Sequence, residues 1–347
     1  MIFRRRQRNG SVATAERPGD AEGAASTEEL FAEIERLSEA NRAAPDHELE
    51  RQLMRLRHVA GIGLIENAPP AAEHPAPDFA RLPEAEGLPE VAARDLTPEL
   101  LRAGILRDGS LLVRGLFDRE VALRLAEDID RSFAERENHE AGRPVAEGYY
   151  EEFQPDPRFT VPLSRGWIAQ GGGVLAVDCP MLAFAMLDAF ERAGLKEVIR
   201  DYLGEPVALS AQKTTLRKAD PSVAGAWHQD GNFMGDVRAL NVWVALSRCG
   251  DEAPGLDIVP RRLDYLVEAG TEGTFLSYTV SPEIVERAAG ERPVVRPIFE
   301  PGDVLLFDEL CLHQTGSDPS MPKPRYAVEA WFFGASALPE DYAPIAV

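Results

Sequence analysis

PVALSAQKTTLRK (206–218), VRALNVWVALSR (237–248), DVLLFDE (303–309) and YAVEAWFFG (326–334) are the stretches that decide the fold. Their apolar residues follow the period of two that belongs to a strand, not the 3.6 of a helix. GLDIVP (255–260) and RPIFE (296–300) read the same way, and Gly, Pro and Asp turns separate all six. Upstream of Gly204 the pattern is mostly helical. DLTPELLRAGILRDG (95–109) reads as a helix ending at a turn, and SLLVRGLF (110–117) as a short strand. DREVALRLAEDIDRSFAERE (118–137) carries Val121, Leu123, Leu125 and Ile129 on an amphipathic helix. PMLAFAMLDAFERAGLKEVIRDYLG (180–204) reads as one further helix closed by Gly204. Short strands after leading helices predict an α+β chain, mainly β, with an antiparallel sandwich or jelly roll and helices on one face.

Outside this region the texture differs. Residues 1–25 lack a periodic apolar pattern and are expected to be disordered. Ser26 with Glu29 forms a capping box for a helix bearing Leu30, Ile34 and Leu37. Asp46 caps a second helix bearing Leu49, Leu53 and Leu56, and a Pro- and Ala-rich connector follows. The division is therefore a helical extension with connector over 26–95 and a main domain over 96–347. His47, His58 and His74 belong to the extension and read as surface histidines without a catalytic role. Residues 140–180, rich in Gly, Pro and aromatic residues, read as a long functional loop region.

Composition narrows the function. The chain has 347 residues, 37 Lys and Arg against 58 Asp and Glu, and a net charge of −21. Phosphates would be repelled, so no nucleic-acid partner is expected; the Arg4, Arg5 and Arg6 run is too short to change that. The charge fits a neutral or cationic substrate somewhat better than an anionic one, subject to local charge. No apolar run approaches the roughly 18–20 residues that span a bilayer, so no membrane partner is expected. MIFRRRQRNGSV has no apolar stretch after its basic residues, and Cys179, Cys249 and Cys311 are too scattered for a disulfide framework or zinc cage. The expected home is the reducing cytoplasm.

The chemistry is carried by two of the six histidines. His228 lies in AWHQDGNF (226–233), two residues before Asp230, and His313 in PGDVLLFDELCLHQTG (301–316). On an extended strand residues i and i+2 share a face, so His228 and Asp230 are expected to converge while Gln229 faces away. His313 is expected at the end of the following buried strand, folded back beside the pair. Two His and one carboxylate leave three positions of an octahedron open, the arrangement of Fe(II) sites that take a cosubstrate and O2. Structural zinc would fill four positions with Cys and His. Arg325, in KPRYAVEAWFF (323–333), leads into the last apolar strand. A guanidinium in a barrel needs a carboxylate, supplied either by a dicarboxylate such as 2-oxoglutarate or by a salt bridge to Asp318 or another residue.

AWHQDGNF, PGDVLLFDELCLHQTG and the trailing Arg resemble the phytanoyl-CoA hydroxylase-like Fe(II)/2-oxoglutarate dioxygenases. So do GSLLVRGLFDREVALRLAEDI (109–129) and APGLDIVPRR (253–262). The resemblance spans about residues 96–335. It implies a double-stranded β-helix, or cupin-like jelly roll, with His228, Asp230 and His313 on Fe(II) and Arg325 on 2-oxoglutarate. It further implies that Lys213, on the strand before the His-x-Asp, and Thr315, just after the distal His, contact 2-oxoglutarate. Arg217 shares the strand parity of Lys213 and would also face inward. One departure is Arg261 and Arg262, where relatives often carry Gly-Ser-His.

The resulting expectation is an Fe(II)- and 2-oxoglutarate-dependent dioxygenase that uses O2 to hydroxylate a small organic substrate, releasing succinate and CO2. Related halogenases lack the carboxylate ligand, so Asp230 favours hydroxylation. The competing expectations are a cupin-type metalloenzyme that does not use 2-oxoglutarate and a non-catalytic binding protein on the same scaffold. Trp227, Trp243 and Trp331 read as barrel packing, with Trp243 also placed to line a pocket. Trp167, Tyr149 and Tyr150 lie where substrate-recognising residues would be expected.

Overall fold

The structure, a computed structural model, describes residues 26–223, 225–235, 237–272, 274 and 276–347. The expected disorder of residues 1–25 lies outside the described residues. The helices are α1 (Thr27–Ala43), α2 (His47–Glu66), α3 (Pro98–Asp108), α4 (Arg119–Glu140), α5 (Arg165–Gln170), α6 (Pro180–Arg192), α7 (Leu195–Leu203), α8 (Gly231–Met234) and α9 (Pro282–Ala289). The strands are β1 (Glu90–Ala92), β2 (Ser110–Arg114), β3 (Gly173–Leu175), β4 (Val207–Ala219), β5 (Ala239–Ala245), β6 (Gly255–Ile258), β7 (Val304–Phe307), β8 (His313–Gly316), β9 (Arg325–Gly334) and β10 (Pro344–Ala346).

The strands form the two sheets of a jelly roll. The larger runs β1-β2-β7-β5-β9-β4-β10, with β3 also on β4, and every pairing except β1–β2 is antiparallel. The smaller is the antiparallel pair β6–β8. Strand alternation sorts the core into two layers. Leu240, Val242, Val244, Val328, Ala330 and Phe332 point to the helices. Their neighbours Trp243, Ala327, Trp331 and Phe333 point between the sheets. Each such fully buried aromatic or aliphatic side chain contributes about 1.5–3 kcal/mol.

Three sequence expectations change. RPIFE forms no strand; within it Phe299 makes a single bridge to Cys249, and Pro297 has no N–H to continue a ladder. The helix expected over 180–204 is two, α6 and α7, broken at Gly194 with φ 65°. His313 does not end the strand begun at Val304. β7 stops at Phe307, the chain turns through 308–312, and His313 opens β8 in the other sheet.

β4 carries a wide bulge. Leu209 pairs with Phe332 and Thr214 with Ala330, so five steps on β4 face two on β9. Thr214 Oγ1 ties across the bulge to Ser210 O at 2.9 Å, and on its other edge β4 pairs through 208–210 with β10. The odd offset reverses the faces. Leu209 and Ala211 pack toward the helices before it and Leu216 after it, which turns Lys213, Thr215 and Arg217 inward.

The extension docks on the main body. Ser26 and Glu29 make the expected capping box on α1. α2 packs against α6 and β10, with Arg57 Nη1 on Ala346 O at 3.1 Å and His58 Nδ1 on Pro344 O at 2.8 Å. Among the described residues no helix is long and apolar enough to cross a membrane.

Candidate metal centre and adjoining cavity

His228 and His313 form an antiparallel bridge, exchanging N–H···O bonds of 3.0 and 3.1 Å. Gly225 permits it: a Cβ there would stand 2.0 Å from Thr315 O, so any other residue would push this segment off β8. The two imidazole centroids come within 4.5 Å. Each ring is oriented from behind by a carbonyl. His228 Nδ1 lies 2.8 Å from Ala226 O, and His313 Nδ1 lies 3.1 Å from Cys311 O. With the proton on Nδ1, both Nε2 lone pairs are free for a ligand. Burial, helped by His228, pushes the His313 pKa down and keeps the ring in its neutral, ligating form.

Asp230 reaches the site by a different route from the one expected. Its φ and ψ are −64° and −27°, so the chain leaves the strand after His228 and Asp230 heads the short helix α8. Gln229 does face away. Its amide is fully used, donating to Tyr265 O and Leu310 O at 3.1 and 2.7 Å and accepting from Val267 N at 2.7 Å. Asp230 Oδ2 is buried without a hydrogen bond, 3.8 Å from His313 Nε2. The ligand atoms of His228, Asp230 and His313 all lie within 4.8 Å of one another. Two free imidazole nitrogens around an orphaned carboxylate oxygen fit a divalent cation, which would offset the cost of burying that charge. No thiol competes: Cys249 and Cys311 are buried, and burial raises the Cys249 pKa to about 12 and the Cys311 pKa well above its ordinary value.

A cavity of about 350 Å³ adjoins the two histidines, and Thr315, Asn241, Trp243 and Arg325 line it. Arg325 is 4% exposed and has no ion pair among the described residues. Its Nη1 donates to Gly255 O at 3.1 Å, its guanidinium lies 5.3 Å from the Trp243 ring centre, and its Nε is unsatisfied. Burial lowers its pKa to about 10, so it stays a cation at neutral pH. Asp318 is not its partner; that carboxylate is exposed and accepts from Ser320 N. Arg217 faces the same cavity but is committed to Glu329, with Nε and Nη2 on Oε2 at 3.0 and 2.9 Å. Burial opposes the Glu329 charge, yet Arg217 holds its pKa below the ordinary value.

The other expected residues separate. Lys213 does not line this cavity; its Nζ lies over Phe233, 4.1 Å from the ring centre, on the Asp230 side. Trp331 is core, and Trp227 precedes the His228 bridge outside any strand. Trp167 is exposed on α5, next to the 169–172 turn of the cavity wall. Tyr149 and Tyr150 pack in the helix layer. Arg262 pairs with Asp264 and with buried Asp308, bracing the turn that delivers His313. Asn241 was not anticipated. Its buried amide has neither donor nor acceptor partner among the described residues and fronts the cavity. A lone amide at the inward parity of ALNVWVA was the available signal.

A jelly roll with two histidines, a carboxylate and a buried Arg that opens into the cavity beside them defines a non-haem iron oxygenase. The phytanoyl-CoA dioxygenase (PhyH) family model matches residues 105–325, and the chain belongs to that family. Its members use Fe(II), 2-oxoglutarate and O2. Similar solved structures include the apo form of EctD from S. alaskensis, at 21% identity over 70% of this chain and 80% of that one, TM-score 0.48. EctD from S. alaskensis with 2-oxoglutarate and 5-hydroxyectoine is 18% identical over 77% and 84%, also at 0.48. AviO1 from Streptomyces viridochromogenes Tue57 is 18% identical over 68% and 94%, at 0.43. No curated protein matches the chain.

Proposed function

We propose that this oxygenase hydroxylates a small organic substrate, coupled to conversion of 2-oxoglutarate to succinate and CO2. The observation that carries the reading is Arg325, a buried cation with no carboxylate partner among the described residues, opening into the cavity beside the His228–His313 pair. Leaving such a charge unpaired is costly, and a bidentate carboxylate is the partner its fork fits. His228, Asp230 and His313 hold the iron, which supplies the chemistry of O2 activation. Arg325 takes the distal carboxylate of 2-oxoglutarate, with the Thr315 hydroxyl and the Asn241 amide within the same cavity to orient it. Trp243, Leu256 and Phe307 exclude water from that space. A carboxylate at position 230, where halogenases have none, favours hydroxyl transfer.

Anaerobic titration of the apo-protein with Fe(II) and then 2-oxoglutarate tests this. The weak visible charge-transfer band of the chelate is expected in the wild type, absent in His228→Ala and weakened in Arg325→Met. A well-folded, iron-loaded wild type without the band would sink the 2-oxoglutarate reading and leave other cupin chemistries.

A further inference from the structure

Lys213 is a second inward cation, acted on at a distance by the carboxylates of Asp230 and Glu329 but held by neither. It makes no ion pair or hydrogen bond among the described residues; its Nζ rests 4.1 Å from the Phe233 ring centre and 5.9 Å from that of Tyr342. Only the bulge on β4 turns it inward, since the parity of Leu209 and Ala211 would send it to the helix layer.

Its position separates it from the cosubstrate site. Arg325 pairs with Ala219, whereas Lys213 lies in the bulge opposite Trp331, about 20 Å further along the β9 strand. A dicarboxylate held between the metal and Arg325 would lie in the cavity that Lys213 does not line. The groups around Lys213 are aromatic. Phe233 is 38% exposed, stacks on His228 at 6.3 Å and meets the edge of Tyr278 at 5.4 Å, and Tyr278 lies 6.4 Å from His228. An aromatic corner, with the Phe233 face and the Tyr278 ring set at 78° to each other, therefore runs from the ammonium to a metal ligand.

We propose that Lys213 anchors the carboxylate of the primary substrate, an organic acid whose apolar body lies on Phe233 and Tyr278. Lys213 then has no part in holding 2-oxoglutarate, against what the family resemblance implies. The proposal rests on the 2-oxoglutarate reading above. It also sets local charge against the net charge of −21, which by itself would favour a neutral or cationic substrate. At a few ångströms the lone ammonium outweighs distant, screened carboxylates.

The test uses the iron-loaded full chain and its Lys213→Met, Lys213→Arg and Arg325→Met variants. In the chelate titration, Lys213→Met is expected to bind 2-oxoglutarate like wild type, while Arg325→Met loses on the order of 100-fold. Succinate release is then followed with hexanoate, benzoate and phenylacetate, each beside its neutral primary amide. At least one acid is expected to stimulate turnover and its amide not. The KM for that acid should rise about tenfold or more in Lys213→Met and recover in Lys213→Arg, with a smaller change in kcat. Weakened 2-oxoglutarate binding in Lys213→Met would place the residue in the cosubstrate site and overturn the proposal. So would amides as effective as acids, or no response to any acid in an enzyme with a normal chelate band. A wild type without that band removes the cosubstrate reading and this one with it, recognisable because Arg325→Met then changes nothing.

Discussion

Asp178 and Arg325 are both charges buried in the core, at 1% and 4% exposure, and the fold treats them in opposite ways. Asp178 is saturated. Arg165 grips it through Nε and Nη2 at 2.8 and 2.9 Å, and Phe153 N adds a third bond at 2.8 Å. Among the described residues Arg325 has one bond, to a carbonyl, and an orphaned Nε, and it lines a cavity. A saturated buried charge fastens segments of the scaffold to each other. An unsaturated one holds binding energy in reserve for something that arrives later.

Breaking the saturated pair should give the largest effect. Asp178→Ala is expected to cost about 3 kcal/mol, the low end for a buried pair because Arg165 stays partly exposed. The guanidinium chloride midpoint measures it, and 2-oxoglutarate affinity of the folded protein should not move. Arg325→Met should do the reverse, leaving stability unchanged or higher while weakening 2-oxoglutarate by about two orders of magnitude. A Met variant that unfolds as readily as Asp178→Ala and still binds 2-oxoglutarate normally would make Arg325 scaffold too.

His58 extends the comparison to a neutral buried group. Its Nδ1 donates to Pro344 O at 2.8 Å and its Nε2 accepts from Asp156 N at 2.9 Å, so only the uncharged ring satisfies both. Burial lowers its pKa; the Pro344 carbonyl and Asp156 oppose that, and Arg158 adds to it. The unfolded chain therefore takes up the proton first, near its ordinary pKa of about 6.5. Stability from this group is complete above that value and is lost as pH falls toward the depressed folded value. Wild type should lose more stability than His58→Gln between neutral and mildly acid pH, read as a larger drop in the guanidinium chloride midpoint on iron-loaded protein so that His313 stays deprotonated. The smallest effect belongs to Thr315→Val, with a rise of about 2- to 10-fold in the KM for 2-oxoglutarate, the value of one neutral hydrogen bond. No change would remove Thr315 from the site.

Period and spacing made much of this legible. The apolar alternation in 237–248 and 326–334 became β5 and β9, and His228, Asp230, His313 and Arg325 do gather around one cavity system. What stayed hidden depends on local backbone geometry that apolar patterns do not encode. Asp230 arrives by a helical turn, not by strand parity, and RPIFE lost its ladder to Pro297. The pairing of Arg217 with Glu329, and the empty-handed amide of Asn241, depend on which inward residues face each other across strands, and that needs the register.

The bulge on β4 works like a reading frame. Upstream of it the strand spells an apolar row toward the helices; downstream the same alternation delivers Lys213, Thr215 and Arg217 to the interior. Changing the chain length there by a single residue would swap the two rows without altering any side chain. In a lineage built on this strand, gain or loss of one codon in 210–213 is therefore a route to a new pocket chemistry that point substitution cannot reach in one step.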